Sequence, residues 1–145
     1  TGTAGISVQG DTTRQWISER YYYGDRGSGD NGIGCAYSIS EAKEHPGQTD
    51  VWVYGYIVGC FNTSGSPTFS GPYTKNTNMV IAGRAGTTDK DYCISVELKA
   101  GAIRDALNIV DNPGNVGRKI YLRGDLVDAY YGIVGMKQLT EYQWD

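Results

Sequence analysis

The chain has 145 residues, room for one domain around a single core and too few for two of ordinary size. Its 12 Tyr, 3 Trp and 21 Gly against 2 Phe and 2 Met favour strands joined by glycine turns and point to an all-β fold, and no run is apolar enough to span a bilayer as a helix. A formal charge of -3 supplies no basic field for phosphate backbones and lowers the expectation of a nucleic-acid partner.

Residues 1–37 read as an N-terminal extension, and residues 38–145 as the domain proper. The opening Thr1-Gly2-Thr3 carries no signal peptide and reads as a processed or trimmed start; the Tyr-, Gly- and Asn-rich composition suggests an exported bacterial domain. Within the extension, Trp16, Ile17 and some of Tyr21, Tyr22 and Tyr23 are expected to pin it to the domain as an added strand. Gly27-Ser-Gly-Asp-Asn-Gly32 matches a dinucleotide fingerprint by letter, but the next residues, Ile33-Gly34-Cys35-Ala36-Tyr37, do not open a βαβ helix, so it reads as a flexible loop. Asp25 and Asp30 fail the calcium-loop pattern, because the twelfth position is Ala36 and not Glu.

Ser38-Ile-Ser-Glu41 is a capping box, predicting a helix from Ile39 to His45 that Pro46-Gly47 stops. His45, the single histidine, has no second ligand or nucleophile near it in sequence and reads as structural. Period-two alternation then predicts a strand over Val51–Gly59, with Val51, Val53, Gly55 and Ile57 inward. The same pattern returns in Ile120, Leu122, Gly124 and Leu126, and an inward glycine in each strand suggests a coil or bulge. A long loop runs from Phe61 to Thr77, with a chance sequon at Asn62. Met79–Ala82 and Cys93–Leu98 read as strands, the latter with Ile94, Val96 and Leu98 inward, joined by a turn region over residues 83–91. Ile103, Ala106, Leu107 and Val110 share one face of a helix predicted over residues 101–110, ended by Asn112-Pro-Gly-Asn115. Strands over 118–127 and 136–144, linked through Tyr130–Gly135, complete the chain.

Three strands, a helix and two strands make an all-β fold with a minor helix: a five-stranded OB-fold Greek-key barrel, its helix between strands 3 and 4. Glu41-Ala42, Val51–Gly59, Asn78–Ala82, Ile103–Asn108, Asp111–Pro113, Val116-Gly117 and Tyr130–Lys137 together resemble an uncharacterised OB-fold family of exported and lipoprotein-linked domains from Gram-negative gut bacteria. The resemblance covers residues 38–144 and implies an OB-fold and an extracytoplasmic address (periplasm, cell surface or secreted), with a lipid anchor on a removed N-terminal segment a further expectation. It carries over no ligand and no catalytic residue. Tyr54 stands where that family tends to carry a charge, adding an aromatic to the outside of strand 1.

OB-folds bind on the face of strands 2 and 3, here Met79–Ala82 and Cys93–Leu98, walled by Phe69, Tyr73 and the Tyr130-Tyr131 pair. Tyr73, Lys75, Arg84, Tyr130 and Tyr131 are the candidate ligand-binding residues, able to stack bases or sugar rings, with packing of the tyrosines as the alternative. The odd cysteines Cys35, Cys60 and Cys93 lack C-x-x-C spacing, which argues against zinc; Cys60 with Cys93 is the disulfide to test, and buried thiols are the preferred reading. Without a nucleophile elbow or a metal-spaced set, no catalytic residue, metal or cofactor is expected. The expected function is a non-catalytic binding module of an exported or envelope protein, taking an oligonucleotide or an oligosaccharide on the strand 2–3 face. The alternative is a structural or assembly domain with a protein partner.

Overall fold

The computed structural model describes residues 32–145. The expectations for Trp16, Ile17, Tyr21–Tyr23, Asp25 and the glycine loop up to Asn31 lie outside the described residues. Among the described residues, two short α-helices, α1 (Ile39–Lys43) and α2 (Ala102–Leu107), accompany five strands: β1 (Val51–Gly59), β2 (Asn78–Ala82), β3 (Cys93–Glu97), β4 (Lys119–Tyr130) and β5 (Ile133–Trp144). The strands form one mixed sheet that closes into a ring in the order β1-β2-β3-β5-β4. All neighbours are antiparallel except β3 and β5, which meet in parallel at Ser95↔Gly135 and Val96↔Met136.

The alternation read from sequence sets the interior. Val53, Ile57, Met79, Ile81, Ile94, Val96, Ile120, Leu122, Leu126 and Met136 pack in one cluster, with Leu98, Leu107 and Ile39 of α1 joining from the ends. β1 and β4, the two strands with an inward glycine, lie side by side, from Val51↔Gly124 to Tyr56↔Lys119. The glycines act differently from the shared expectation of a bulge. At Gly55 the register with β4 is unbroken; a Cβ there would lie 2.9 Å from both the Ala82 carbonyl oxygen and Ile39 Cδ1, so the glycine makes room for α1. Gly124 does sit at an irregularity, where the β4–β5 register shifts between Arg123 and Asp125.

The capping box forms as predicted: Glu41 N donates to Ser38 Oγ at 3.3 Å, and Ser38 N donates to Glu41 Oε1 at 2.9 Å. The helix stops at Lys43 and not at His45, whose ring stacks on Tyr37 with centroids 4.8 Å apart. Tyr37 in turn forms a parallel bridge beside Val53, with Tyr37 N donating to the Trp52 carbonyl at 2.8 Å.

Several expectations need correction. α2 ends at Leu107, not Val110, because Asn108 turns extended and takes the Asp111 N–H on its Oδ1 at 2.8 Å. Ile109 is buried in consequence, and Val110 points outward, 38% exposed. β4 and β5 also run further, meeting at a two-residue turn, Tyr131-Gly132, with φ of 58° and 84°. Consecutive positive φ values are those of a type I′ hairpin turn, which matches the strand twist. Cys60 and Cys93, by contrast, are buried free thiols in different clusters, as the preferred reading had it, and do not form the alternative disulfide: Cys60 Sγ donates to Asn62 Oδ1 and Cys93 Sγ to the Asp89 carbonyl, each at 3.3 Å.

Candidate binding cleft

The face of β2 and β3 expected to be open is covered. Every residue of β2 is buried, and on its outer side Val80 and Ala82 join Val58, Phe61 and Cys93 in a second apolar cluster, against which Phe69, Tyr131 and Ile133 pack. Phe61 and Phe69 come from the β1–β2 connection; Tyr131 comes from the β4–β5 turn, and Ile133 opens β5. The β1–β2 connection and the β4–β5 turn therefore lie across this face.

Of the five candidate residues, Tyr130 and Tyr131 come together, ring edge to face at 4.9 Å. Tyr131 stacks on Phe61 at 4.6 Å and 9°. The Tyr130 hydroxyl points at the Thr77 carbonyl, 3.5 Å away, Lys137 Nζ lies 5.1 Å from its ring centre, and burial pushes its phenol up to about 12. Tyr73 packs on the main cluster, where burial first and nearby Cys60 second raise its phenol as well. Lys75 is exposed on the β1–β2 connection. Arg84 lies apart from the others, in an open cleft between α1 and the β2–β3 connection.

That cleft encloses about 710 Å³ and is lined by Ser38, Ser40, Lys43 and Glu44 on one side and Arg84, Thr87, Asp91 and Tyr92 on the other. Local sequence explains both walls. The capping box fixes the first turn of α1, and with Ile39 and Ala42 turned into the core the helix presents Ser40 and Lys43 outward. Across the cleft, Thr87 Oγ1 donates to the Arg84 carbonyl at 2.9 Å, and Asp91 N donates to Asp89 Oδ1 at 2.9 Å, starting a 3-10 turn over Lys90–Tyr92. This turn lifts Tyr92 into solvent, 67% exposed. Among the described residues, the side chains of Lys43, Glu44, Arg84 and Asp91 engage in no hydrogen bond or ion pair. Two cations, two carboxylates, three hydroxyls and an aromatic ring thus converge on one hollow.

Sequence reading found Arg84 but missed its neighbours. The signal for them was the charged turn Asp89-Lys-Asp-Tyr92, which a period-two search treats only as a break between strands. Among the described residues, no three of His, Cys, Asp and Glu gather as a metal-ligand set, and no helix is long and apolar enough to cross a membrane.

Searches of the curated proteins and of the solved structures return no match to the chain. Residues 37–145 match the model of the family described as Domain of unknown function (DUF6359), and by that match the chain belongs to this uncharacterised domain family.

Proposed function

We propose that the ring is an OB-fold and that the chain is a non-catalytic binding module of an exported or cell-envelope protein, recognising an oligosaccharide in the cleft between α1 and the β2–β3 connection. The strand order 1-2-3-5-4 with a parallel 3–5 junction and a helix between β3 and β4 supports the OB-fold reading. The observation that carries the binding reading is Tyr92, an aromatic ring 67% exposed at the rim of a hollow whose charged groups are unpaired among the described residues. A sugar offers a C–H face to such a ring and hydroxyls to Arg84, Glu44 and Asp91. A nucleic acid would meet Lys43 and Arg84 offset by two carboxylates on a chain of net charge -3. In this reading the ligand is taken on the Arg84 side and not at Tyr73, Lys75, Tyr130 and Tyr131, a choice supported by the covering of the strand 2–3 face.

The test is a glycan array beside a panel of single-stranded oligonucleotides, followed by a salt titration of whatever binds. The expected outcome is a glycan whose affinity barely changes with salt and falls at least about tenfold in Arg84→Ala and Tyr92→Ala, with melting temperature unchanged. Oligonucleotide binding that weakens steeply with salt, or binding indifferent to both substitutions, overturns the reading.

A second reading, a structural or assembly domain, is favoured by the outer face of β1 and β4. There Tyr54 and Tyr121 lie 5.7 Å apart with Lys119 Nζ 5.1 and 5.5 Å from their ring centres, a surface of the composition found at protein interfaces. A stable dimer or higher species on size exclusion, lost in Tyr121→Ala, would favour it.

A further inference from the structure

The second apolar cluster is small and lies outside the ring. Its floor is Val80, Ala82 and Cys93 on the outer side of β2 and β3, and its cover is Phe61, Phe69 and Tyr131. The two sides of that cover are held differently. Phe61 is fastened at the backbone: its N–H donates to Asn78 Oδ1 at 2.7 Å, and its carbonyl accepts from Asn78 Nδ2 at 3.1 Å, with Asn78 itself fully buried. Tyr131 is fastened by a ring stack and, one residue back, by Ser95 Oγ donating to the Tyr130 carbonyl at 2.6 Å. Tyr131 also holds φ at 58°, a left-handed conformation costly for a residue with a Cβ, beside Gly132 at 84°. Tyr130 adds a longer contact, its hydroxyl 3.5 Å from the Thr77 carbonyl, but the Tyr131 ring itself is held by stacking on Phe61 and Tyr130, so this turn is the more weakly fastened side of the cover.

We infer that the β4–β5 turn is an autoinhibitory lid: it swings Tyr131 off Phe61 while the ring stays closed, uncovering a trough floored by Val80, Ala82 and Cys93. The inference is independent of the cleft on the α1 side, which the motion leaves intact. The face that OB-folds use for ligands is thus shut at rest and available on demand.

The fold supplies its own reporters, because Cys93 lies under the lid and Cys60 in the main cluster. Burial drives the Cys93 thiol to about 11, which slows its alkylation while closed and makes a fast rate the harder result to obtain. In a Cys35→Ser background, the protein is pulsed with iodoacetamide under native conditions and at low urea, and each cysteine is quantified by peptide mass spectrometry. Cys93 is expected to label at least about tenfold faster than Cys60 and at a rate unaffected by low urea, as local opening requires. Tyr131→Gly, which suits the positive φ and removes the ring, should speed Cys93 by a further factor of about ten and leave Cys60 unchanged. Ser95→Ala, which removes the hydrogen bond to the Tyr130 carbonyl, should act in the same direction, again with the Cys60 rate unchanged because the ring stays closed. Equal rates for the two cysteines that rise together with urea, or a Cys93 rate unmoved by both variants, overturn the lid.

Discussion

Arg123 on β4 grips Asp50, the residue just before β1, with two parallel hydrogen bonds, Nε to Oδ1 at 2.6 Å and Nη2 to Oδ2 at 3.0 Å. Its remaining nitrogen reaches Glu141 Oε2 on β5 at 2.7 Å, so one guanidinium ties three adjacent segments of the ring. The Arg123 hydrogen bond holds the Asp50 carboxyl below its ordinary 3.8. A depressed carboxylate stabilises the fold above its unfolded value and loses that contribution as pH falls through the folded one. Asp50→Asn tolerates the residue's φ of 55° and removes the charge together with one of the two oxygens that accept from Arg123. Its melting temperature is expected to sit slightly below that of the parent at neutral pH, the gap narrowing as pH falls below the ordinary carboxylate range and the Asp50 carboxyl takes up its proton, as thermal scans across pH would record.

Gly55 and Gly34 separate crowding from mere sequence position. A Cβ at Gly55 meets the Ala82 carbonyl and Ile39 at 2.9 Å, whereas one at Gly34 meets nothing within 4 Å. Gly55→Ala is expected to cost about 1–3 kcal/mol by urea denaturation, as overpacking does, and Gly34→Ala to stay within about 0.5 kcal/mol.

Asn78 satisfies both backbone groups of Phe61 from a fully buried position. Asn78→Ala orphans a donor and an acceptor and is expected to destabilise by about 2–4 kcal/mol. The same variant should loosen the fixed side of the lid, so that Cys93 labelling rises before global unfolding begins.

Leu107 and Val110 test where α2 ends. Leu107 is fully buried and Val110 is 38% exposed, although helical periodicity puts both on one face. Leu107→Ala should cost about 2–5 kcal/mol and Val110→Ala under about 0.5 kcal/mol in the same measurement.

The ring was largely legible in the sequence because it rests on rules with a fixed period. Val53 and Ile57, Ile94 and Val96, and Ile120 and Leu122 sort to the inside by alternation alone, and Ser38 with Glu41 announces α1. The features that escaped depend on contacts distant in the chain or on side-chain competition. Asn108 ends α2 by bonding Asp111, a local choice that an apolar pattern cannot register. The Tyr131-Gly132 turn hides inside an aromatic run that looks like strand. Alternation also tells which residues leave the interior, but not whether something else covers them. Val80, Ala82 and Cys93 therefore gave no sign of lying beneath Phe61 and Tyr131. The same blindness placed Tyr130 and Tyr131 at an open face and left Tyr92, the exposed ring, unnoticed.

The parallel contact between β3 and β5 rests on two residue pairs, Ser95↔Gly135 and Val96↔Met136, while β1 and β4 are paired over six. A hoop comes apart at its shortest overlap, so a destabilised variant should unzip there first and present the flank of β3 to another chain. Strand exchange between molecules, and the fibrous or swapped species it produces, would then begin at Ser95, which makes that residue the place to guard when this domain is engineered for shelf life.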